Sequence, residues 1–120
     1  MRRYKFRAWD IVHEEMIHWN QYKSEMVSND FVDDNLKIMQ CTGLKDIKGR
    51  DIYEGDIIEF KPFSKDESEN YVVRYIADEA SFRGIKEKKS SIKVLSLINS
   101  QQGLKVLGNI FENPELVEEQ

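Results

Sequence analysis

Two histidines near the N-terminus are the residues whose type best suits metal chemistry. His13 and His18 bracket an acidic pair in the segment HEEMIH. This segment superficially resembles the zinc motif H-E-x-x-H, which needs histidines four residues apart on one helix face and a third ligand elsewhere. Here the histidines are five residues apart, a spacing that puts them on opposite faces of a strand. We therefore predict surface histidines beside a turn and no metal site.

The single cysteine, Cys41, is the residue whose type best suits nucleophilic catalysis. A catalytic thiol needs a neighbouring base, and no local catalytic signature surrounds this one. A lone cysteine is more often a small buried apolar residue. It also cannot form an internal disulfide, which is consistent with a reducing cytoplasm. We predict no catalytic residue and no cofactor, and we expect that the chain is not an enzyme.

Four carboxylates in the centre of the chain are dense enough to suggest a cation loop. They are Asp46, Asp51, Glu54 and Asp56. A calcium loop needs oxygen ligands at its first, third and fifth positions and glycine at the sixth. Counted from Asp46, lysine occupies the third place and glycine the fourth. We therefore predict that Asp46 and Asp56 stabilise turns and that the other two carboxylates are solvated.

A basic strand near the N-terminus is the strongest candidate for binding. Arg3, Lys5 and Arg7 alternate with apolar residues, and Trp9 and Trp19 lie nearby. Such a face could bind a phosphate backbone and stack bases on the aromatic rings. The alternative is that these cations pair with acids on a neighbouring strand. With 22 acidic against 18 basic residues and a net charge of −4, broad nucleic-acid binding is disfavoured.

Length and composition predict one cytoplasmic domain. The chain has 120 residues, and 33% of them are charged. A domain of this size buries about two-thirds of its unfolded surface and needs no disulfide. No run approaches the ~18 apolar residues of a membrane span. The basic start is not followed by the apolar region of a signal peptide, so we predict no membrane association.

Short β-branched and aromatic runs between tight turns indicate a mainly β fold. Residues 46–49, with Asp first and Gly last, predict a type I turn, and Gly55 supplies a second reversal at residues 54–56. The predicted strands cover residues 3–9, 16–22, 57–60, 71–77, 81–86 and 104–110, the first two forming a hairpin. The result is a small β-barrel or sandwich, SH3-like in pattern, with an N-terminal hairpin and at most one or two short helices.

The remaining segments are predicted as connections or short helical turns. Residues 62–70 read as a polar loop, 87–91 as a charged connection and 78–80 as a turn. Helical turns are predicted after residues 28–30 and from residues 113–115. Residues 92–98 are ambiguous, because their β-branching favours a strand while flanking cap and stop residues allow a helix. We favour the strand. Alternate residues Leu104, Val106, Gly108 and Ile110 are expected on one face of the last strand.

Three blocks of sequence resemble the YopX family. They are KFRAWD at residues 5–10, the segment at residues 39–60 that contains CTGLKD and IYEGDII, and VLGNIFENPEL at residues 106–116. Cys41 departs from the pattern, since the family commonly has an aromatic residue there. The resemblance implies one domain over residues 1–120, made of a hairpin and irregular segment (1–38), a β core (39–112) and a C-terminal turn and tail (113–120). The motif residues predicted as structural are Gly43, Asp46, Gly49, Gly55, Asp56, Gly108, Asn113 and Pro114.

The resemblance carries no assigned reaction and implies a bacteriophage or prophage setting. Together with the absence of a coherent catalytic constellation in the sequence, it favours a non-enzymatic accessory protein. We expect a protein-interaction or self-assembling module, a homo-oligomer or a binder of a host or phage protein. The alternative is a nucleic-acid-binding module that uses the basic N-terminal strand.

Overall fold

The computed structural model describes residues 4–19, 33–61 and 67–118. The chain divides into two units, Met1–Cys41 and Thr42–Gln120. The domain organisation expected from the sequence stays a prediction. The described strands form two sheets, in the orders β2-β1-β3-β4 and β8-β7-β6-β5-β9, and one of them resembles half a barrel.

The first unit is built on the predicted N-terminal hairpin. Strand β1 (Phe6–Asp10) is antiparallel to β2 (Glu15–Ile17) and to the beginning of β3 (Leu36–Lys45), so that Ala8 lies opposite both Ile17 and Ile38. An Asp10 carboxylate oxygen accepts the backbone N–H groups of Val12 and His13 and closes the turn. Strand β2 is shorter than predicted, and residues 20–22 and the predicted cap at 28–30 lie outside the described residues.

The second unit contains most of the regular structure. After β3 come β4 (Asp51–Tyr53), β5 (Asp56–Phe60), β6 (Glu69–Ile76), β7 (Ser81–Lys88), β8 (Ser91–Ser96), α1 (Leu97–Ser100), β9 (Leu104–Asn109) and α2 (Glu115–Glu118). The mainly β prediction is confirmed. No helix in the described part of the chain is long and apolar enough to cross a membrane.

One face of the five-stranded sheet carries the main hydrophobic core. Buried apolar side chains from five elements meet there, namely Ile52, Ile58, Tyr71, Val73, Leu97 and Leu104. These residues alternate with residues of the opposite face, because successive side chains of a strand point to opposite sides. Full burial of one such aliphatic side chain stabilises the fold by about 1.5–3 kcal/mol.

Several strand boundaries differ from the sequence prediction. Strand β6 begins at Glu69, inside the predicted loop, and β7 runs to Lys88, which leaves a two-residue turn before β8. The ambiguous segment 92–98 is a strand to Ser96, as favoured, and is then helical from Leu97. Strands β6 and β7 extend through polar residues, because pairing with a neighbouring strand outweighs local polarity.

The expected single face of the last strand is wrong at its end. Val106 lies opposite Ile58, whereas Gly108 lies opposite Ile57, so one extra residue of β9 sits between the two pairs. Such a bulge shifts the alternation by one residue. Gly108 therefore follows the face of Ile57 and not that of Val106.

Candidate functional site

A polar cluster of the second unit surrounds Asp46, in the turn that follows β3. One carboxylate oxygen accepts the backbone N–H groups of Lys48 and Arg50, each at 2.9 Å. The other accepts the Val106 N–H at 2.9 Å and the Arg50 guanidinium, through Nε at 3.0 Å and a terminal nitrogen at 2.9 Å. The Arg50 guanidinium also donates to the Val106 carbonyl oxygen. The Asp46 carboxylate thus ties its own turn to strand β9.

The Asp46 side chain is fully buried, and these bonds oppose the effect of burial on its pKa. Burial by itself raises the pKa of a carboxyl group. Here the N–H groups of Val106, Arg50 and Lys48, with the Arg50 side chain, outweigh burial and hold the Asp46 pKa below its ordinary value. All of these donors are groups of the same chain, so the Asp46 carboxylate stabilises the fold.

The second predicted turn is anchored in the same way. Gly55 adopts a positive φ of 82°, and its N–H donates to the Val73 carbonyl while its own carbonyl accepts the Ile110 N–H, both at 2.9 Å. The buried Asp56 carboxylate accepts the Tyr53 N–H at 2.7 Å. The turn is therefore joined by backbone bonds to β6 and to the end of β9.

The residues after β9 form a third polar cluster. The Asn109 side-chain oxygen accepts the N–H groups of Phe111 and Glu112, and the Asn113 side-chain oxygen accepts the Asn109 N–H. Gly108 is packed against Asn113, and a Cβ atom there would overlap with the Asn113 side chain. The Asn113 carbonyl accepts the Leu116 N–H and opens α2, as predicted for residues 113–115.

The other motif residues predicted as structural are Gly43, Gly49 and Pro114, and their role stays a prediction. Gly43 and Gly49 also have positive φ values, 85° and 80°. A residue with a side chain rarely adopts such a backbone conformation. Pro114 precedes α2, where its carbonyl accepts the Val117 N–H. Asp51, which we expected to be solvated, is half-buried and pairs with the Lys45 ammonium at 2.8 Å.

The basic N-terminal strand is less open than its sequence pattern suggests. Arg7 is only 8% exposed, and Lys5 and Trp9 are half-buried. The Trp19 ring lies 6.3 Å from the Phe6 ring, tilted by 59°. Arg3 lies outside the described residues. A phosphate backbone needs accessible cations, so the burial of Arg7 weakens the support for this site, which stays a prediction.

The histidines and the cysteine occupy unremarkable surroundings. His13 is exposed in the hairpin turn, where its Nδ1 lies 2.8 Å from an Asp10 carboxylate oxygen. This hydrogen bond raises the pKa of His13. The His18 side chain is exposed and Cys41 is half-buried. Within the residues that the structure describes, no three metal-binding side chains come together.

An ion cluster lies on the core face of the five-stranded sheet. The Glu69 carboxylate accepts the Lys93 ammonium at 2.8 Å and the Tyr71 hydroxyl at 3.2 Å, and the Lys86 ammonium lies 3.6 Å away. The hydrogen bond from Lys93 is the main cause that lowers the Glu69 pKa to about 2, against the opposing effect of partial burial. The cluster joins β6, β7 and β8 side by side.

Strand β8 presents apolar side chains at the margin of the sheet. It is the terminal strand of the order β8-β7-β6-β5-β9. Ile92 and Val94 are 63% and 59% exposed. They lie opposite Glu87 and Ile85 of β7, on the face away from the main core. An exposed apolar edge strand is a surface on which another strand can pair.

A partly open cavity of about 180 Å³ lies on that same face. Its centre is apolar and is lined by Val72 of β6, Ile85 of β7, Val117 of α2 and Ile110, which directly follows β9. Arg74, Lys86 and Glu87 contribute to the polar rim. The Lys86 ammonium, however, lies 3.6 Å from the Glu69 carboxylate on the core face. The Asn70 amide, also at the cavity, donates to the Leu116 carbonyl at 3.2 Å and holds α2 beside β6.

Sequence reasoning missed both of these surfaces. The segment SIKVLS alternates, but both of its faces carry apolar residues, so its pattern does not show which face is exposed. The cavity joins residues far apart in the chain, which only strand pairing brings together. The one usable signal was the cation Arg74 between the apolar residues of the segment YVVRYI.

The fold and its turn clusters define a small, mainly β protein whose sequence motifs serve the backbone. The family described as YopX protein matches residues 5–118. The chain belongs to the YopX family.

Solved structures agree with this assignment. Protein EF1440 from Enterococcus faecalis is 27% identical, with a TM-score of 0.56, and the match covers 98% of this chain and 100% of that one. Protein yopX from Bacillus subtilis is 19% identical, with a TM-score of 0.66 over 95% of this chain and 98% of that one, and shows the same fold. No curated protein matches the chain.

Proposed function

We propose that this chain is a non-enzymatic accessory protein of a bacteriophage or prophage that acts in the host cytoplasm by self-association. The exposed apolar side chains of the edge strand β8 carry the proposal. The phage setting rests on the family resemblance. The non-enzymatic role is supported by the use of Asp46, Asp56 and Glu69, whose carboxylates are engaged in hydrogen bonds within the fold.

The chemistry of β8 favours a second copy of the same strand as its partner. Edge strands are commonly protected from pairing by a lysine. The lysine of this strand, Lys93, is bound to Glu69 on the core face. The opposite face at the edge carries only Ile92, Val94 and Ser96, which are uncharged and so repel no identical strand.

An antiparallel arrangement centred on Val94 fits these side chains. It places Val94 against its counterpart and Ile92 against Ser96 of the second copy. On the core face, Lys93 then lies opposite Leu95, which avoids two facing ammonium groups. One added strand buries less than the roughly 800 Å² per partner of a stable complex, so we expect a dimer that dissociates on dilution.

Sedimentation velocity over an about hundredfold range of concentration tests this proposal. We expect the wild-type mass to rise from monomer to dimer as concentration increases. Val94→Lys should abolish the dimer, because two facing ammonium groups repel each other at the centre of the new pair. Ile47→Lys is the matched control, since Ile47 is 56% exposed in the turn that follows β3. A wild-type protein that is monomeric throughout, or a Val94→Lys variant that still dimerises, would contradict the proposal.

The nucleic-acid alternative has weaker support. It needs Arg3, Lys5 and Arg7 at the surface, and Arg7 is only 8% exposed. Oligonucleotide binding that weakens steeply with salt, and that is lost when Lys5 is replaced by glutamine, would favour it.

A further inference from the structure

The cavity beneath α2 has opposite charges on its two sides along the strands. Val72 lies opposite Ile85, and both line the apolar centre. Two residues further along β6 is Arg74, and two residues further along β7, which runs the other way, is Glu87. The cavity therefore has a cation at one end and an anion at the other. Each end lies about 7 Å from the apolar centre, the length of two strand residues.

The two charged side chains are available to a ligand. Arg74 and Glu87 are both exposed, and neither has a hydrogen-bond or ion-pair partner among the described residues. Arg83, which lies opposite Arg74, is instead bound to Glu79 at 3.2 Å. The cationic end thus keeps an unmatched guanidinium, a group suited to binding a carboxylate through two parallel hydrogen bonds.

The volume of the cavity limits the size of the chemical group that can bind at its centre. A cavity of about 150 Å³ holds one benzene molecule, so about 180 Å³ accommodates one branched aliphatic side chain. It is too small for most cofactors, whose sites span roughly 300–1,000 Å³. An extended peptide places alternate side chains on one face about 7 Å apart, which matches the distance from the apolar centre to each charge.

We propose that this face binds an extended peptide segment of the pattern acidic-x-aliphatic-x-basic, with the aliphatic side chain in the cavity, the acidic one on Arg74 and the basic one on Glu87. The contacts use side chains of β6, β7 and α2. The proposal does not rest on self-association through the β8 edge, and a monomeric protein binds such a segment equally.

The probe is the peptide acetyl-ESLSK-amide, titrated into the labelled full chain and followed by amide chemical shifts. The titration is run at a concentration where the protein is monomeric, so that failure of the dimer proposal does not affect it. We expect saturable shifts at Val72, Ile85 and Val117. The peptide acetyl-ESNSK-amide, which lacks the aliphatic side chain, should bind at least about tenfold more weakly. Equal binding of the two peptides, or the absence of shifts at these amides, would overturn the proposal.

A charge exchange tests the Arg74 contact. Arg74→Glu should weaken binding of acetyl-ESLSK-amide by about tenfold and should strengthen binding of acetyl-KSLSK-amide relative to wild type. Lys37→Glu, an equal change of charge at an exposed residue of β3, should alter neither titration. If both peptides rank identically on wild type and on Arg74→Glu, the assigned contact is wrong. Should Arg74→Glu fail to fold, the comparison of leucine and asparagine peptides on wild type still decides the proposal.

Discussion

Two regions of the second unit use polar and apolar residues in opposite ways. In the turn clusters around Asp46, Gly55 and Asn109, polar groups are buried and bonded to the backbone. At the β7–β8 margin, apolar side chains such as Ile92 and Val94 are exposed. The first region contains the most distinctive sequence of the chain, and the second reads as an ordinary strand. In this protein, the residues of the distinctive sequence motifs lie in the turns. The surface that we propose for binding consists of residues that belong to no motif.

The physical reason for this contrast is backbone geometry. A tight turn demands particular residues, because only some side chains accept orphan N–H groups and only glycine readily adopts a positive φ. An exposed strand face makes no such demand, and many apolar residues pack equally well against a partner. A sequence motif is therefore expected wherever the chain reverses direction, whether or not a ligand binds there.

The largest expected effect is the loss of the Asp46 carboxylate. Asp46→Ala removes a buried carboxylate and leaves the part-buried N–H groups of Lys48, Arg50 and Val106 without their acceptor. We therefore expect a loss of about 3–5 kcal/mol in the free energy of unfolding. Urea denaturation measures it. Asp78→Ala, in an exposed turn, is the control and should change stability by less than about 0.5 kcal/mol. If Asp46→Ala lost little unfolding free energy, the turn clusters would not have the stabilising role that distinguishes them from the β7–β8 margin.

A smaller effect is expected where Gly108 meets Asn113. Gly108→Ala should cost about 1–3 kcal/mol, because the added methyl group overlaps with the Asn113 side chain. The same change in an Asn113→Ala background should cost less, since the two nearest obstructing atoms, Oδ1 and Cγ of Asn113, are gone. A double-mutant cycle by thermal or urea unfolding gives the coupling. Additive effects of the two changes would show that the close approach is not what requires glycine.

The smallest expected effect concerns Glu69, on the core face of the sheet whose other face we propose for binding. Its folded-state pKa of about 2 lies below the ordinary value of 4.5. The stabilisation is therefore fully present above about pH 4.5 and is lost as the pH falls towards 2. Glu69→Gln should cost about 1 kcal/mol at pH 7, and the difference from wild type should vanish near pH 2. A difference that is independent of pH would mean that packing, and not charge, is responsible.

Several parts of the fold followed from the sequence. The N-terminal hairpin, the turns at 46–49 and 54–56 and the start of α2 were all predicted, because each depends on residues adjacent in the chain. The limits of β6 and β7 and the bulge at Gly108 were not predicted. They depend on which strand of the sheet pairs with each of these strands. The burial of Arg7 was also missed. Alternation along a strand shows which residues share a face, but it does not show which other parts of the chain cover that face.

The sequence by itself determined the family, the mainly β class and the residues that occupy the turns. Turn residues can be recognised in a sequence because the backbone conformation of a tight turn accepts only some residue types. Only the tertiary structure decided that β8 is an edge and that Val72, Ile85 and Val117 enclose one cavity between Arg74 and Glu87. Strand order joins segments that lie far apart in the chain, and it is fixed by the summed burial and pairing of all the strands rather than by any one of them.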